Sequence, residues 1–326
     1  MSHAAAPPGP DAPPAWLDEL VIDPGPPWLH MGLRTVEEAD WLVVDDRRTG
    51  ELAQKARLLD ERHDEVFGAL EGTEAAGGEV LDLVAGWLQR HRPDAAPSVD
   101  ALPVDTCRHP LDAAGRLVQE DLCVMDRRDD DVALVAASLC FPTHWRLADK
   151  LGGTAAAIHG PVPHYRDELQ GKVDRFLERI PDGRIVMRRN WGIHDHDTLF
   201  APVHPPPQVG ITATTAGDRL WLRSERQTLR RLPASGAVLF TIRVQVVPLS
   251  VLARRPDVAH ALAAYARAGT TVGRGHIPGG HLEAACAWLE ARPGTPAETS
   301  GAISGAEATS AGGTRSSSPP AGWTDR

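Results

Sequence analysis

Residues 220–247 read LWLRSERQTLRRLPASGAVLFTIRVQVV, and their alternation decides the fold. In AVLFTIRVQVV, Val238, Phe240, Ile242, Val244 and Val246 recur at every second position. Thr241, Arg243 and Gln245 fill the places between them. Successive side chains of a strand point to opposite faces, so this segment is a strand with one apolar face. LWLRSERQTLRRL precedes it across PASG, a turn composition, and pairs with it as a hairpin. With 223–231 as a strand, Arg226, Thr228 and Arg230 share one face, and Glu225 and Gln227 share the other. So many charges have two readings: an internally paired ladder on a wet sheet face, or cations and a carboxylate that hold a ligand. Composition does not separate them.

The same reading extends outward. LVQEDLCVM and VALVAASLCF flank DRRDDD and form a second hairpin with a wet acidic tip. RIVMRRNWGI follows the PDG stop at 181–183 as a further strand. Before it, YRDELQGKVDRFLERI places Leu169, Val173, Phe176, Leu177 and Ile180 on one helical face. Upstream, VEEADWLVVDD, GELAQKARLLDERHDEVFGAL and GGEVLDLVAGWLQRH carry apolar residues at helical spacing, ended by HRPD at 91–94. VAHALAAYARA and HLEAACAWLEA close the domain as helices. Hairpins with intervening helices predict an α+β fold, a mostly antiparallel sheet with flanking helices and a helical N-terminal region. Residues 1–27, rich in Pro and Ala, and the Gly, Ser, Thr, Ala and Pro tail 293–326 bury too little apolar surface to order. One domain is expected over 28–292.

The chain has 326 residues, 42% of them hydrophobic, and a formal charge of −10. No Lys/Arg stripe with interleaved aromatics occurs, so no nucleic-acid partner is expected. The cysteines, Cys107, Cys123, Cys140 and Cys286, form neither a zinc nor an iron–sulfur spacing and read as reduced thiols. The N-terminus lacks the apolar segment of a signal peptide, and no run is long enough for a bilayer. A soluble cytoplasmic protein is expected, without a membrane partner. The chain has no G-x-G-x-x-G, Walker or G-x-S-x-G motif, so no nucleotide or flavin site of its own is expected.

Three segments concentrate side chains that carry chemistry. In CFPTHWRLADKLGGTAAAIHGPVPHY, 140–165, Pro142 starts a short helix, THWRLADKL, that Gly152 and Gly153 end. Gly160, Pro161 and Pro163 then fix the path around His159. A preset imidazole beside a small residue suits a metal or heme iron ligand; the alternative is a histidine bonded to a loop carbonyl. His144 and His164 are surface residues or line a cavity. Lys150 is a solvated helix residue or a contact to an acidic cofactor group. In MRRNWGIHDHDTLFAPVH, 187–204, Arg188 could pair a carboxylate and Trp191 could wall a planar ligand. Otherwise Trp191 is core and Asn190 a turn residue. His194 and His196 form an H-x-H, but Thr198 and Leu199 break the metallo-hydrolase pattern H-x-H-x-D-H, and an exposed polar loop is the alternative. The third segment is RSERQTLRRLP, 223–233.

Five words in order, LVQEDLCVM, CFPTHWRLADKLG, IHGPVPHY, RRNWGI and ERQTLRRLP, together with the opening MGLRTVEEADWL, resemble the heme-dependent oxidative N-demethylase family, alpha subunit. The resemblance spans about Trp28 to Pro248. It implies a PAS-like antiparallel sheet that holds heme b. It also implies removal of a methyl group from a small secondary amine as formaldehyde, using O2. Electrons from NADPH would arrive through separate flavin and iron–sulfur reductase subunits. The resemblance makes His159 the candidate heme iron ligand. It places Arg188, Asn190, Trp191, Arg226 and Gln227 around the heme and lets Glu225 orient the amine. One axial position must stay open for O2. The chain departs from the family at His144, where Arg is usual, and at His164, where Gly is usual. Two other readings remain: a non-catalytic PAS-like heme sensor, and a metal-dependent hydrolase built on His194 and His196.

Overall fold

Seven strands form one sheet in the order β1-β5-β6-β7-β3-β4-β2. They are β1 Arg34–Val36, β2 Phe67–Ala69, β3 Asp121–Arg128, β4 Asp131–Ser138, β5 Ile185–His194, β6 Trp221–Arg231 and β7 Val238–Pro248. All neighbouring strands run antiparallel. The computed structural model describes residues 13–22, 33–97, 107–128, 131–154, 157–158, 175–177, 179–268 and 280–293. The α+β class is as the alternation predicts, and so are the two hairpins, β3–β4 and β6–β7. PASG makes the second turn: the Leu232 and Gly236 N–H groups donate to Ala237 O and Leu232 O, and Gly236 takes a left-handed φ of 76°. Glu79 grips that turn from outside, accepting from the N–H groups of Ala234 and Ser235.

The helices are α1 Arg48–Glu61, α2 His63–Val66, α3 Glu74–His91, α4 Pro110–Gly115, α5 Ala216–Arg219, α6 Pro256–Ala268 and α7 Leu282–Glu290. In α3 the buried stripe is Ala76, Gly77, Val80, Leu81, Val84, Trp87 and Leu88, a spacing of three and four that faces the sheet. A side chain at Gly77 would meet His109 Cε1 at 2.4 Å, so α3 can pack against α4 only through glycine there. In α1 the buried stripe is Glu51, Lys55, Leu58 and Leu59, so two of its four inward positions are charged.

Strand parity sorts the sheet into two faces. On the first, Ile185, Leu122, Val124 and Leu239 join Trp41, Trp87 and the α3–α4 residues in one apolar cluster. Ile193, Leu222 and Val247 join α5, α6 and α7 in another at the opposite end. Between the two lies a band of buried polar side chains. On the second face, Val238, Ile242, Val244 and Val246 are buried with Cys123, Met125, Phe141, Leu147, Leu177 and Ile180, and Phe240 packs against them. All five apolar positions predicted for AVLFTIRVQVV thus lie in a single cluster.

Four local expectations are corrected. VEEADWLVVDD is not a helix: it holds β1's last residue, a 3-10 turn at Glu38–Asp40 and an extended stretch. Its Val43 and Asp45 N–H groups donate to the side chains of Glu120 and Gln119, which offer more than a helical turn would. The segment ending in VFGAL leaves its helix at Val66, and Phe67–Ala69 pairs with β4. THWRLADKL forms only a 3-10 turn at Leu147–Asp149, because Thr143 bridges to Ala201 and the His144 N–H donates to Ala201 O at 2.7 Å. Within the N-terminal stretch expected to be disordered, Ala15–Glu19 is a 3-10 helix whose Leu17 is buried and whose Glu19 pairs with Arg189. His159, Gly160, Pro161, Pro163, His164, Leu169 and Val173 lie outside the described residues, as does the tail from 294.

Candidate functional site

The register of β5 with β6 pairs Arg188 with Gln227 and Asn190 with Glu225. These four side chains therefore share the second face. Trp191, next to Asn190, and Arg226, between Glu225 and Gln227, point to the first. The structure brings together four of the residues expected around one pocket and separates two of them.

The two separated residues have full structural employment. Arg226 donates to Trp41 O at 2.8 Å and to Asp40 O at 2.5 Å, and lies 3.7 Å from Glu19. The Trp191 ring packs on Tyr265 at 5.0 Å between centroids. Around them the polar band is internally paired. Arg189 reaches Glu19, Ser224 and Gln245, and Arg243 holds Asp45 at 2.7 Å and Glu51 at 2.8 Å. Thr228 and Thr241 exchange a hydrogen bond at 2.6 Å. This is the paired ladder that composition allowed, but it is buried rather than wet: Arg243 is 0% exposed and Arg226 4%. Burial pulls the Arg189 guanidinium down to about 10, against the pull of Glu19.

On the second face Glu225 is held at both oxygens. Thr143 Oγ1 donates to Oε1 at 2.5 Å, and Gln227 Nε2 donates to Oε2 at 2.9 Å. Thr143 in turn accepts from Arg223 Nε at 2.8 Å. A hydroxyl has one proton; with a guanidinium donating to its oxygen, that proton goes to Glu225. Arg188 donates to Asn190 Oδ1 beside this group. Arg223 is buried, and its other donors go to the carbonyls of Thr198, Phe141, Leu199 and Pro142. Burial lowers its pKa, while Glu225 and Asp121 oppose that shift.

The loop carrying Thr143 is fixed from below. Both oxygens of Asp121, the first residue of β3, accept from the Cys140 and Phe141 N–H groups at 2.8 and 2.9 Å. Lys55 of α1 sits 3.9 Å from Asp121 and donates to Val118 O and Glu120 O, wholly buried. Burial pushes the Asp121 carboxyl up, and Lys55 and the two N–H groups pull it back. Sequence reading missed Thr143 and Arg223. Arg223 was legible by parity, two places before Glu225 on the same strand face.

Next to Arg223 a cavity of about 290 Å³ is lined by His144, His194, His196, Arg62 and Phe200 among others. The His144 ring lies 5.2 Å from that of His194 and 3.6 Å from that of His204. His196 is beyond the end of β5 and faces Pro206 O at 3.1 Å, so His194 and His196 do not act as the strand-borne pair the H-x-H spacing allowed. Among the described residues no group of three or more His, Cys, Asp or Glu is arranged to hold a metal ion. The hydrolase reading lacks its ligand set there. Lys150 is not a solvated helix residue: its ammonium donates to Ile158 O at 2.5 Å.

The second face suits a porphyrin by its chemistry. Leu229 and Phe240 of the central strands, with Ile158 and Phe176, give a half-buried apolar wall, and Arg188 gives a cation beside it. A heme needs that combination, an apolar macrocycle surface and a positive group for its propionates. Ile158, the residue before His159, packs against this same cluster. No helix among the described residues is long and apolar enough to cross a membrane.

The family model described as haem-dependent oxidative N-demethylase, alpha subunit-like, matches residues 32–272, which include all seven strands. That is well over half of the chain, and the description names heme dependence, oxidative chemistry and a subunit of a larger enzyme. The chain belongs to the haem-dependent oxidative N-demethylase, alpha subunit-like family.

Proposed function

We propose that this chain is the heme-binding subunit of an oxygen-dependent N-demethylase acting on a small N-alkyl amine. Heme b, when bound, supplies O2 activation and oxidation at the N-methyl carbon. Electrons come from separate flavin and iron–sulfur reductase subunits, because this chain carries no nucleotide motif or cluster spacing. His159 is the proposed iron ligand, and Arg188, Asn190 and Gln227 are the proposed neighbours of the heme on the second face. Trp191 and Arg226 are reassigned to holding the sheet. The sheet is read as PAS-like: its middle five strands, counted in chain order, lie 2-1-5-4-3, and the long connection after the second contributes to the second-face cluster.

The observation that carries the reading is the fixed carboxylate of Glu225. Thr143 and Gln227 each donate to it, which fixes its direction. A carboxylate so held accepts an N–H from a bound ammonium and keeps the N-alkyl group in one orientation. The apolar wall of Leu229 and Phe240 excludes water from the alkyl side.

Absorption spectra of the protein titrated with hemin, then reduced under CO, test the proposal. A Soret band that shifts on CO binding is expected, and H159A should lose it or move it. No Soret band in the wild-type protein would end the heme reading. An unchanged spectrum in H159A would remove His159 as the ligand.

A further inference from the structure

We propose that Arg223 is a positioning residue for amine binding. It does not touch the amine; it sets the direction of the Thr143 hydroxyl and, through it, of the Glu225 carboxylate. The inference rests on the reading of Glu225 as the amine site and adds the residue that aims it.

The chain of contacts starts on β6. Arg223 and Glu225 are two residues apart on one strand face, so roughly 6.6 Å separates their backbone origins. Thr143 spans that gap: Arg223 Nε donates to its Oγ1 at 2.8 Å, and its hydroxyl donates to Glu225 Oε1 at 2.5 Å. A hydroxyl carries one proton and turns about its C–O bond. A donor fixed on its oxygen takes one lone pair and restricts where that proton points. Arg223 is this donor, and Glu225 is the acceptor left to the proton.

Arg223 is itself held on several sides. Nη1 donates to Thr198 O at 2.9 Å, and Nη2 donates to Phe141 O at 2.9 Å and to Leu199 O at 3.0 Å. The guanidinium is planar, so these contacts fix the direction of Nε as well. Arg223 is 4% exposed, whereas Glu225 is half-buried. The carboxylate meets the ligand and the guanidinium works behind it.

The segment that carries Thr143 is gripped by both signs of charge. Asp121 takes the N–H groups of Cys140 and Phe141, and Arg223 takes the carbonyls of Phe141 and Pro142. Just past Thr143, the His144 N–H donates to Ala201 O at 2.7 Å. A lysine at 223 keeps the charge but not the planar fork that reaches two loops and the hydroxyl at once. Gln227 holds the other oxygen of Glu225 on its own, at 2.9 Å. Losing Arg223 or Thr143 therefore loosens the carboxylate without freeing it.

The test is a double-mutant cycle of R223K and T143V, with T143S and E225Q alongside. Each variant is loaded with hemin, titrated calorimetrically with dimethylamine hydrochloride, and normalised to folded protein. R223K and T143V should each weaken binding about tenfold, the worth of one hydrogen bond. The double variant should bind no more weakly than T143V, because Arg223 acts through the hydroxyl that T143V removes. T143S keeps the hydroxyl and should restore wild-type affinity, which a general loosening of the fold would not produce. Additive losses in the double variant would overturn the inference, since Arg223 would then act by another route. So would wild-type affinity in T143V, or a T143S as weak as T143V. If R223K does not fold, the T143V and T143S pair decides, because without a Thr143 effect Arg223 has nothing to act through. Wild-type affinity in E225Q, or no binding by the wild-type protein, would end the reading of Glu225 itself, and this inference with it.

Discussion

The two faces of β5 and β6 are built from the same residue types and do opposite work. On the first, Arg189 and Arg226, with Arg243 of neighbouring β7, are buried and paired with Glu19, Asp45, Glu51 and backbone carbonyls. On the second, Arg188, Asn190 and Glu225 remain half-buried in the middle of the sheet, with Glu225 held by two donors. Arginine on the first face clamps the 13–22 and 37–51 segments onto the sheet. On the second it stands beside an apolar wall suited to a ligand. One residue of register decides between these roles. Motif words do not, since Glu225, Arg226 and Gln227 are consecutive and divide between the faces.

The contrast can be broken most strongly at Arg243. R243M leaves the buried Glu51 and the half-buried Asp45 without their cation, and should cost about 3–5 kcal/mol in urea unfolding. E225Q on the other face should cost less, about 1–3 kcal/mol, because the Thr143 and Gln227 donors lose their charged acceptor. It should weaken amine binding by about tenfold or more in a calorimetric titration of the hemin-loaded protein. If E225Q unfolds the protein and R243M does not, the assignment of the faces is reversed.

Glu120 gives a smaller, pH-dependent effect. Burial raises its pKa above 4.5, although Arg243 and the Val43 N–H oppose this. A carboxyl raised in the folded state contributes stability that is fully present below its unfolded value and lost as pH rises through the folded value. Urea unfolding of wild type against E120Q should therefore show the wild type losing ground above about pH 4.5, by up to about 1.4 kcal/mol per unit. Asp45 behaves oppositely: burial pushes it up, but Arg243 and Gln119 hold it below 3.8. Its contribution is lost only as pH falls below that, so the two windows do not overlap. A flat difference between wild type and E120Q would show that Glu120 is not perturbed.

Much of the sheet was legible because alternation needs only neighbours. Val238 to Val246 and the PASG turn define β7 and its partner without reference to anything distant. The parity of Glu225, Arg226 and Gln227 was legible in the same way, and placing all three around one pocket set it aside for the resemblance. What was not legible depends on distant partners. Trp41 to Asp45 is extended because Gln119 and Glu120 take its N–H groups. Ala15–Glu19 is ordered because Arg189, far along the chain, pairs with Glu19. Glu51 and Lys55 sit at inward positions of α1, where hydrophobic periodicity reads them as surface. His204, in a proline-rich loop, meets His144 only in the fold.

The central claim is that heme chemistry belongs to the face bearing Arg188 and not to the face bearing Arg226. Hemin titration of R188M beside R226M, followed at the Soret band and normalised to folded protein, tests it directly. R188M should bind heme about tenfold or more weakly, the worth of a guanidinium–propionate contact, while R226M keeps wild-type affinity. Loss of affinity in R226M with R188M unchanged would contradict it.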